Sequence, residues 1–347
     1  MNAPEKIFIH GLGAVSPAGW GVPALRAALK KDLPVPTQTL ARPGWEKSFL
    51  VRAVPPPVPR PDFFAHPRLR RANSIAQCTV AAALEALGEN VPLVQSGAVR
   101  LGIVVGMLAG SVNYSRRFYE EVLRDPATAS PLIFPETVFN APASHLAAFL
   151  GADTAGYTLV GDDGTFLQGL ALAAQWLADG KMDACIVAGA EETDWTVADT
   201  MKLFQRDAVH GAGAGAVLLK KKSDGAIAEL AAVTDSFSFT QNQNRADAAR
   251  KMRAQLPESA PGELLCCSGQ NIPRNDAAEK LAWGNWTGAR LSPRTILGEA
   301  FVASAAWQCV AACEAIRQKE FAAANVSVVG ANQQAIGARF LACAEMF

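Results

Sequence analysis

The stretch Tyr157 to Glu192 reads YTLVGDDGTFLQGLALAAQWLADGKMDACIVAGAEE. It opens with a short apolar run, Tyr157 to Val160, that predicts a strand. A tight turn follows at Gly161-Asp162-Asp163-Gly164. Phe166, Leu167, Leu170, Ala174 and Leu177 then repeat at the i, i+3, i+4 spacing of a buried helix face. Gly180 ends that helix, and Ala184 to Gly189 predicts a second buried strand. Strand, sharp turn and helix is the geometry of a nucleophile elbow, which lifts one side chain above a sheet beside a helix N-terminus. This elbow carries no serine or cysteine. It carries glycines and two carboxylates.

The chain around it has 347 residues, half of them apolar, with 32 acidic and 32 basic side chains. That is enough for one large domain or two fused halves with a substantial core. Balanced charge argues against nucleic-acid binding, whose phosphate contacts need a basic excess. No apolar run is long enough to predict a membrane span. The start, MNAPEK, lacks the apolar region of a signal peptide. The seven cysteines sit mostly in apolar segments, which predicts reduced core thiols in a cytoplasmic protein. Cys266-Cys267 is not a C-x-x-C pair and no histidine lies at ligand spacing, so no zinc site is expected.

In chain order, Ile7 to Ser16 is a buried strand running into a glycine turn, with glycines spaced as in neither a P-loop nor a dinucleotide fingerprint. Pro34 to Pro61 is proline-rich and reads as a surface excursion. His66 to Leu87 is an alanine-rich helix entered by Arg68, Arg70 and Arg71. Arg100 to Met107 is a strand. His145 falls in a helix and reads as a helix-face histidine rather than a base. The glycines of Phe204 to Leu219 let backbone approach backbone. Lys220 to Asp224 is a hinge, which divides the chain into residues 1–221 and 222–347. Asp235 to Arg253 reads as a polar stretch.

These segments together resemble the β-ketoacyl-acyl-carrier-protein synthases of the thiolase superfamily. The opening IFIHGLGAVSP is similar to that family's first strand, and AGAEE at Ala188 to Glu192 to the end of its post-elbow strand. Arg206, Asp207, Gly211, Gly213 and Gly215 match its glycine run, with Ala212 where the family has glutamate. FPETVFNA at Phe134 to Ala141 is closest to the non-catalytic chain-length-factor branch. The resemblance implies a thiolase-like five-layer αβαβα fold of two similar halves, each a five-stranded mixed sheet, with two helices buried between them.

It also implies where a Cys-His-His triad would stand. Aligning on Gly164 puts the nucleophilic cysteine at Gly161. Pro273, Asn275 and Asp276 put the first histidine at Ser268. Gly298 puts the second at Glu299, with Arg294 in place of a lysine. Gly161 has nothing to acylate. Ser268 has no positive charge. A carboxylate at Glu299, about 4 Å from a developing enolate, would cost about 4 kcal/mol, roughly a thousandfold in rate. Condensation by this chain alone is therefore not expected.

The expected role is a partner of an active ketosynthase subunit, in type II polyketide, aryl-polyene or fatty-acid assembly. No cofactor is expected: the acyl chain would arrive on the phosphopantetheine of an acyl carrier protein. An acyl-thioester hydrolase or acyltransferase using Asp162 or Glu299, or an acyl-binding scaffold, each a homodimer, is the alternative. Asp162, Asp163, Cys267 and Arg294 are pocket candidates. The two aspartates are expected chiefly as helix N-caps, and Cys267 as a packed thiol.

Overall fold

The computed structural model describes residues 5–151, 156–240, 244–257, 262–330 and 333–343. Ten strands carry the fold: β1 (Ile7–Ser16), β2 (Leu101–Met107), β3 (Gly156–Val160), β4 (Ala184–Glu191), β5 (Gly213–Lys220), β6 (Ala228–Val233), β7 (Leu264–Cys266), β8 (Ala289–Leu291), β9 (Ala323–Val329) and β10 (Gln334–Leu341). The helices that accompany them include α1 (Val22–Lys31), α2 (Ser74–Leu87), α3 (Val112–Arg124), α4 (Ala141–Leu150), α5 (Thr165–Ala178), α6 (Arg245–Ala254), α7 (Pro273–Ala282), α8 (Pro293–Leu297) and α9 (Phe301–Arg317).

The strand order is β8-β7-β9-β10-β6-β1-β5-β4-β2-β3. Its two halves repeat one another. In each, the first strand pairs antiparallel with the fifth and the fifth antiparallel with the fourth. The fourth and third then flank the second in parallel. Antiparallel pairing of β1 with β6, Ile7 to Ile9 against Ala228 to Leu230, joins the halves.

Helices α5 and α9 lie between the two half-sheets, each touching strands of both. Helix α9 is buried along nearly its whole length, so it is apolar all round, as a helix without a solvent face must be. Its few polar groups are bonded to both sides. Trp307 Nε1 donates to Val15 O and Ala214 O in one half. Gln308 Nε2 donates to Cys266 O and Ser327 O in the other. On the outer faces α2 and α4 cover one half-sheet and α6 and α7 the other. The molecule thus has the five thiolase-like layers that the sequence resemblance implies.

Glycine sets how closely the layers approach. A Cβ on Gly13 would lie 1.9 Å from Ala82 O, and one on Gly11 1.8 Å from Ala86 O, because α2 rests directly on β1. These glycines lie within the strand and serve helix packing, not the turn that the sequence suggested. On the other face, a Cβ on Gly189 would lie 2.7 Å from Val302 O, and one on Gly215 2.8 Å from the Ala306 Cβ, so α9 crosses where β4 and β5 lack side chains.

Two expectations are corrected. The excursion from Pro34 to Pro61 is not only surface loop. Strands Gln38–Ala41 and Ser48–Arg52 pair with each other and with His210–Gly211 in a small separate sheet. Alternation decides this, because Phe49 and Val51 turn inward while Ser48 and Leu50 face out. The polar stretch from Asp235 contains α6, which buries Ala246, Ala248, Ala249 and Met252 on a mainly charged helix. Strand β9 ends at Val329, and Ala331 and Asn332 of the turn beyond it lie outside the described residues.

Gly13→Val would push a branched side chain into the α2 backbone. It is expected to lower the free energy of unfolding by about 3 kcal/mol, the upper end for overpacking. Urea unfolding checks this, and an unchanged midpoint would contradict the close approach of α2 to β1.

Candidate functional site

The turn after β3 places its four residues against the far half of the molecule. Gly161 N donates to Met107 O at 3.1 Å. A Cβ on Gly161 would lie 2.4 Å from Thr165 Oγ1 and 3.6 Å from Gln333 Oε1. Where an elbow would present a nucleophile, the first residue of α5 already occupies the space.

Asp162 and Asp163 do not cap α5. The N-cap residue is Gly164, with no side-chain cap bond. Asp162 is held by the opposite half: Oδ1 accepts from Gln334 Nε2 at 2.7 Å and Oδ2 from Gln334 N at 3.2 Å. Its one local bond is from Gly164 N at 3.2 Å. Gly330 makes room, since a Cβ there would lie 2.1 Å from Asp162 Oδ2. Burial, then the neighbouring Asp163 charge, pushes the Asp162 carboxyl up to about 6.

Asp163 reaches across to Arg294. Nη1 of Arg294 donates to Asp163 Oδ2 at 2.7 Å and to Glu299 Oε2 at 2.8 Å, and all three side chains are about 1% exposed. The pairing of Arg294 with Glu299, five residues apart across Gly298, is accompanied by a second carboxylate 131 residues away. Burial alone would lower the guanidinium pKa. The two carboxylates outweigh it and hold Arg294 above its ordinary value.

Glu299 is further fixed by Phe301 N, which donates to Oε1 at 2.7 Å, and by the side chains of Gln270 and Ser304. Burial raises the Glu299 carboxyl to about 7, against the opposing pull of Arg294. Phe301 takes φ of +44°, a left-handed conformation that a bulky residue adopts only when its surroundings enforce it.

Ser268 is committed to structure. Its Oγ accepts from Val329 N at 3.1 Å, and its N donates to both oxygens of Glu279 at 3.0 Å. Burial raises the pKa of Glu279. Cys267 donates from Sγ to Leu291 O at 3.5 Å, and burial pushes its thiol up to about 12, which matches a packed thiol. His145 is buried and bonded to Glu136 at 2.9 Å, on α4 and away from this network.

The positions assigned to the triad therefore converge. Gly161 and Asp162 meet Gln333, Gln334 and Gly330. Ser268 binds Val329, next in the chain to Gly330. Asp163 is joined through Arg294 to Glu299. A cleft of about 110 Å³ opens beside Glu299 and Arg294, lined also by Arg52, Asp207, Gln270 and Thr295. Arg52 enters it from the small sheet, with Nε on Val35 O at 2.7 Å. Sequence reasoning assigned no role to Arg52, Thr165, Gln270, Gln334 or His210. His210 is buried and bridged by backbone to Glu299, and burial lowers its pKa to about 4. Its position in the glycine run after Arg206-Asp207 was the available signal. Among the described residues, no cluster of His, Cys, Asp and Glu could hold a metal ion. Among them too, no helix is long and apolar enough to cross a membrane.

The class defined by this layering is the ketosynthase-type, thiolase-like fold, and solved structures bear it out. The ishigamide ketosynthase/chain length factor superposes with a TM-score of 0.81 at 16% identity, over 98% of this chain and all of that one. A β-ketoacyl synthase from Burkholderia phymatum gives 0.77 at 17% identity over the same shares. A type II polyketide ketosynthase, solved in complex with its acyl-carrier protein, gives 0.77 at 16%, again over 98% and 100%. No protein-family model and no curated protein matches the sequence.

Arg294→Met would leave the buried Asp163 carboxylate, and Glu299 as it ionises, without their cation, and is expected to cost about 3–5 kcal/mol of stability at neutral pH. Glu299 carries a further, pH-dependent signature. Its carboxyl stays protonated up to about pH 7 when folded, against 4.5 ordinarily, so folding takes up a proton between those values. The group's contribution to stability therefore falls as pH rises through that window. The stability of Glu299→Gln relative to the unsubstituted chain should rise from about pH 4.5 to 7. Denaturant titrations across that range check it, and a flat difference would mean Glu299 is ionised throughout.

Proposed function

We propose that this chain is a non-catalytic partner, of chain-length-factor type, for an active β-ketoacyl synthase in type II polyketide, aryl-polyene or fatty-acid assembly. The observation that carries the reading is the occupancy of the three triad positions. Gly161 has no side chain, and Thr165 fills the space beside it. Ser268 is spent on Val329 and Glu279. Glu299 is locked to Arg294. A condensing enzyme needs a thiolate and two imidazoles at these points. The imidazole nearest Glu299, that of His210, has no acidic side chain bonded to it among the described residues to keep it protonated.

A partner surface is available. β3 stands at the end of the sheet and, among the described residues, pairs only with β2. Tyr157 and Val160 on it are 56% and 55% exposed. The segment leading into α4, which packs on β3, exposes Phe134, Val138 and Phe139. An open edge with apolar side chains beside it is a surface that a second subunit covers. In this reading residues 1–221 and 222–347 act as one cytoplasmic unit. The synthase supplies the cysteine and both histidines, and acyl carrier protein, a partner of one structural neighbour, docks chiefly on that subunit.

The alternative, an acyl-thioester hydrolase or acyltransferase using Asp162 or Glu299, gains little. Both carboxylates are 4% exposed or less and are held by several hydrogen bonds. A homodimer, catalytic or not, would use the same edge.

Co-expression with a ketosynthase encoded beside it, then intact mass after exposure to acyl-loaded carrier protein, tests the proposal. A one-to-one complex with acyl adducts only on the synthase is expected, and Val160→Asp should weaken it. Subunits that stay separate at micromolar concentration, or an adduct or turnover on this chain alone, would overturn it.

A further inference from the structure

Helix α3 buries no residue of its own. From Val112 to Asn140, only Ile133 is fully buried. The helix packs chiefly on Phe134–Glu136, within the same segment, where the rings of Phe118 and Phe134 lie 5.5 Å apart. A segment with so few buried apolar contacts stands at the low end of local stability, and what ties it to the body is polar.

Two neighbouring carboxyls supply the tie. Glu191 ends β4 and Glu192 follows it, so they point to opposite faces of the sheet. Glu191 accepts from Leu108 N, and from Ala109 N at 3.1 Å. Glu192 accepts from Asn113 N at 2.8 Å and from Ser74 Oγ at the start of α2. Together they grip the chain between β2 and α3 from both faces. They are 2% and 4% exposed, and neither has a cation within ion-pair distance among the described residues.

The groups around them offer no counter-charge. The Asp163 charge reaches Glu191 from the turn after β3, and its own cation, Arg294, is shared with Glu299. The Cys78 thiol of α2 faces Glu192. Asp194, next beyond Thr193, takes Arg116 of α3 at 3.0 Å. Glu136 is bonded to His145 of α4. The flanking strands β2 and β5 bring no charge to this end of β4. Burial is the main cause that pushes the Glu191 carboxyl up to about 8, with Asp163 and Glu192 adding to it against the pull of the two N–H groups. Burial raises Glu192 as well.

We propose that Glu191 and Glu192 form a proton-operated latch on the root of α3. Protonated, they hold residues 108–113 against the end of β4. Ionised, each leaves an unpaired charge in a dry site, and the root opens to bring that charge to water while the sheets stay packed. In the open form the carboxyls return to the ordinary value of 4.5, so opening releases protons. The closed form therefore loses its advantage as pH rises from 4.5 to about 8. The opening equilibrium rises about tenfold per pH unit for each proton released, and levels off above about pH 8. The segment that α3 begins also carries Phe134, Val138 and Phe139. That opening would loosen the partner surface rests on the function proposed above; the latch itself does not.

Hydrogen exchange of the full chain alone tests it, read on peptides covering residues 108–124 and on α9, with each rate divided by that of an unstructured peptide at the same pH. Protection of residues 108–124 should fall about tenfold or more per unit up to about pH 8 and then level, while α9 stays protected. Glu191→Gln cannot ionise and should remove about one tenfold step per unit. Glu192→Gln serves in the same comparison if that variant does not fold. Protection of 108–124 that ignores pH, an unchanged slope in a folded variant, or one common rate for 108–124 and α9 would overturn the latch. A chain that fails to bind a synthase would leave the exchange result standing, so the two readings are tested apart.

Discussion

A guanidinium sealed from water has to be neutralised where it lies, and Arg294 meets that requirement with carboxylates from both halves of the chain. Asp163 comes from the turn that follows β3, and Glu299 from the segment that leads into α9. Neither helix N-terminus can move without leaving a buried charge unpaired, a change on the order of several kcal/mol. Asp162 and Gln334 repeat the connection with further hydrogen bonds between the halves. The interface between the halves is therefore fixed by polar contacts around this point and by apolar packing along the rest of α5 and α9.

The rest of the architecture makes that point possible. Two apolar helices between two sheets require close approach, and glycine provides it at Gly189 and Gly215 under α9. With α9 so placed, its first turn and the Glu299 side chain fall beside the start of α5. The same convergence of two helix N-termini would suit chemistry on an anionic intermediate, because both ends carry partial positive charge. Here the converging side chains are carboxylates, and the favourable partial charges are spent on holding them.

Much of this could be read from residues near one another in sequence. The strand, turn and helix from Tyr157 follow from apolar spacing and glycine, and the glycines from Gly211 to Gly215 foretold close backbone contact, whereas those of the first strand read as a turn. The resemblance assigns triad positions through short motifs with glycine, proline and asparagine that suggest a register. What could not be read depends on long-range approach. Nothing in Asp163 marks it as a partner of Arg294, so local logic assigned it to the helix start instead. Arg52 reaches the cleft only because Phe49 and Val51 anchor a strand that a proline-rich segment disguised. His210 carries its meaning through a backbone bridge to Glu299 that spacing does not encode.

The Thr165 hydroxyl beside Gly161 bears on which substitutions the turn tolerates. A thiol introduced at residue 161 would meet that hydroxyl 2.4 Å from the new Cβ. An imidazole introduced at 299 would leave Arg294 with Asp163 alone and remove the bond that Phe301 N gives to Glu299. Each of these changes disturbs contacts that the neighbouring side chains share, so neither is neutral unless others accompany it. The turn behaves as one coupled unit, in which the side chains that fill the space around residue 161 also hold the two halves together.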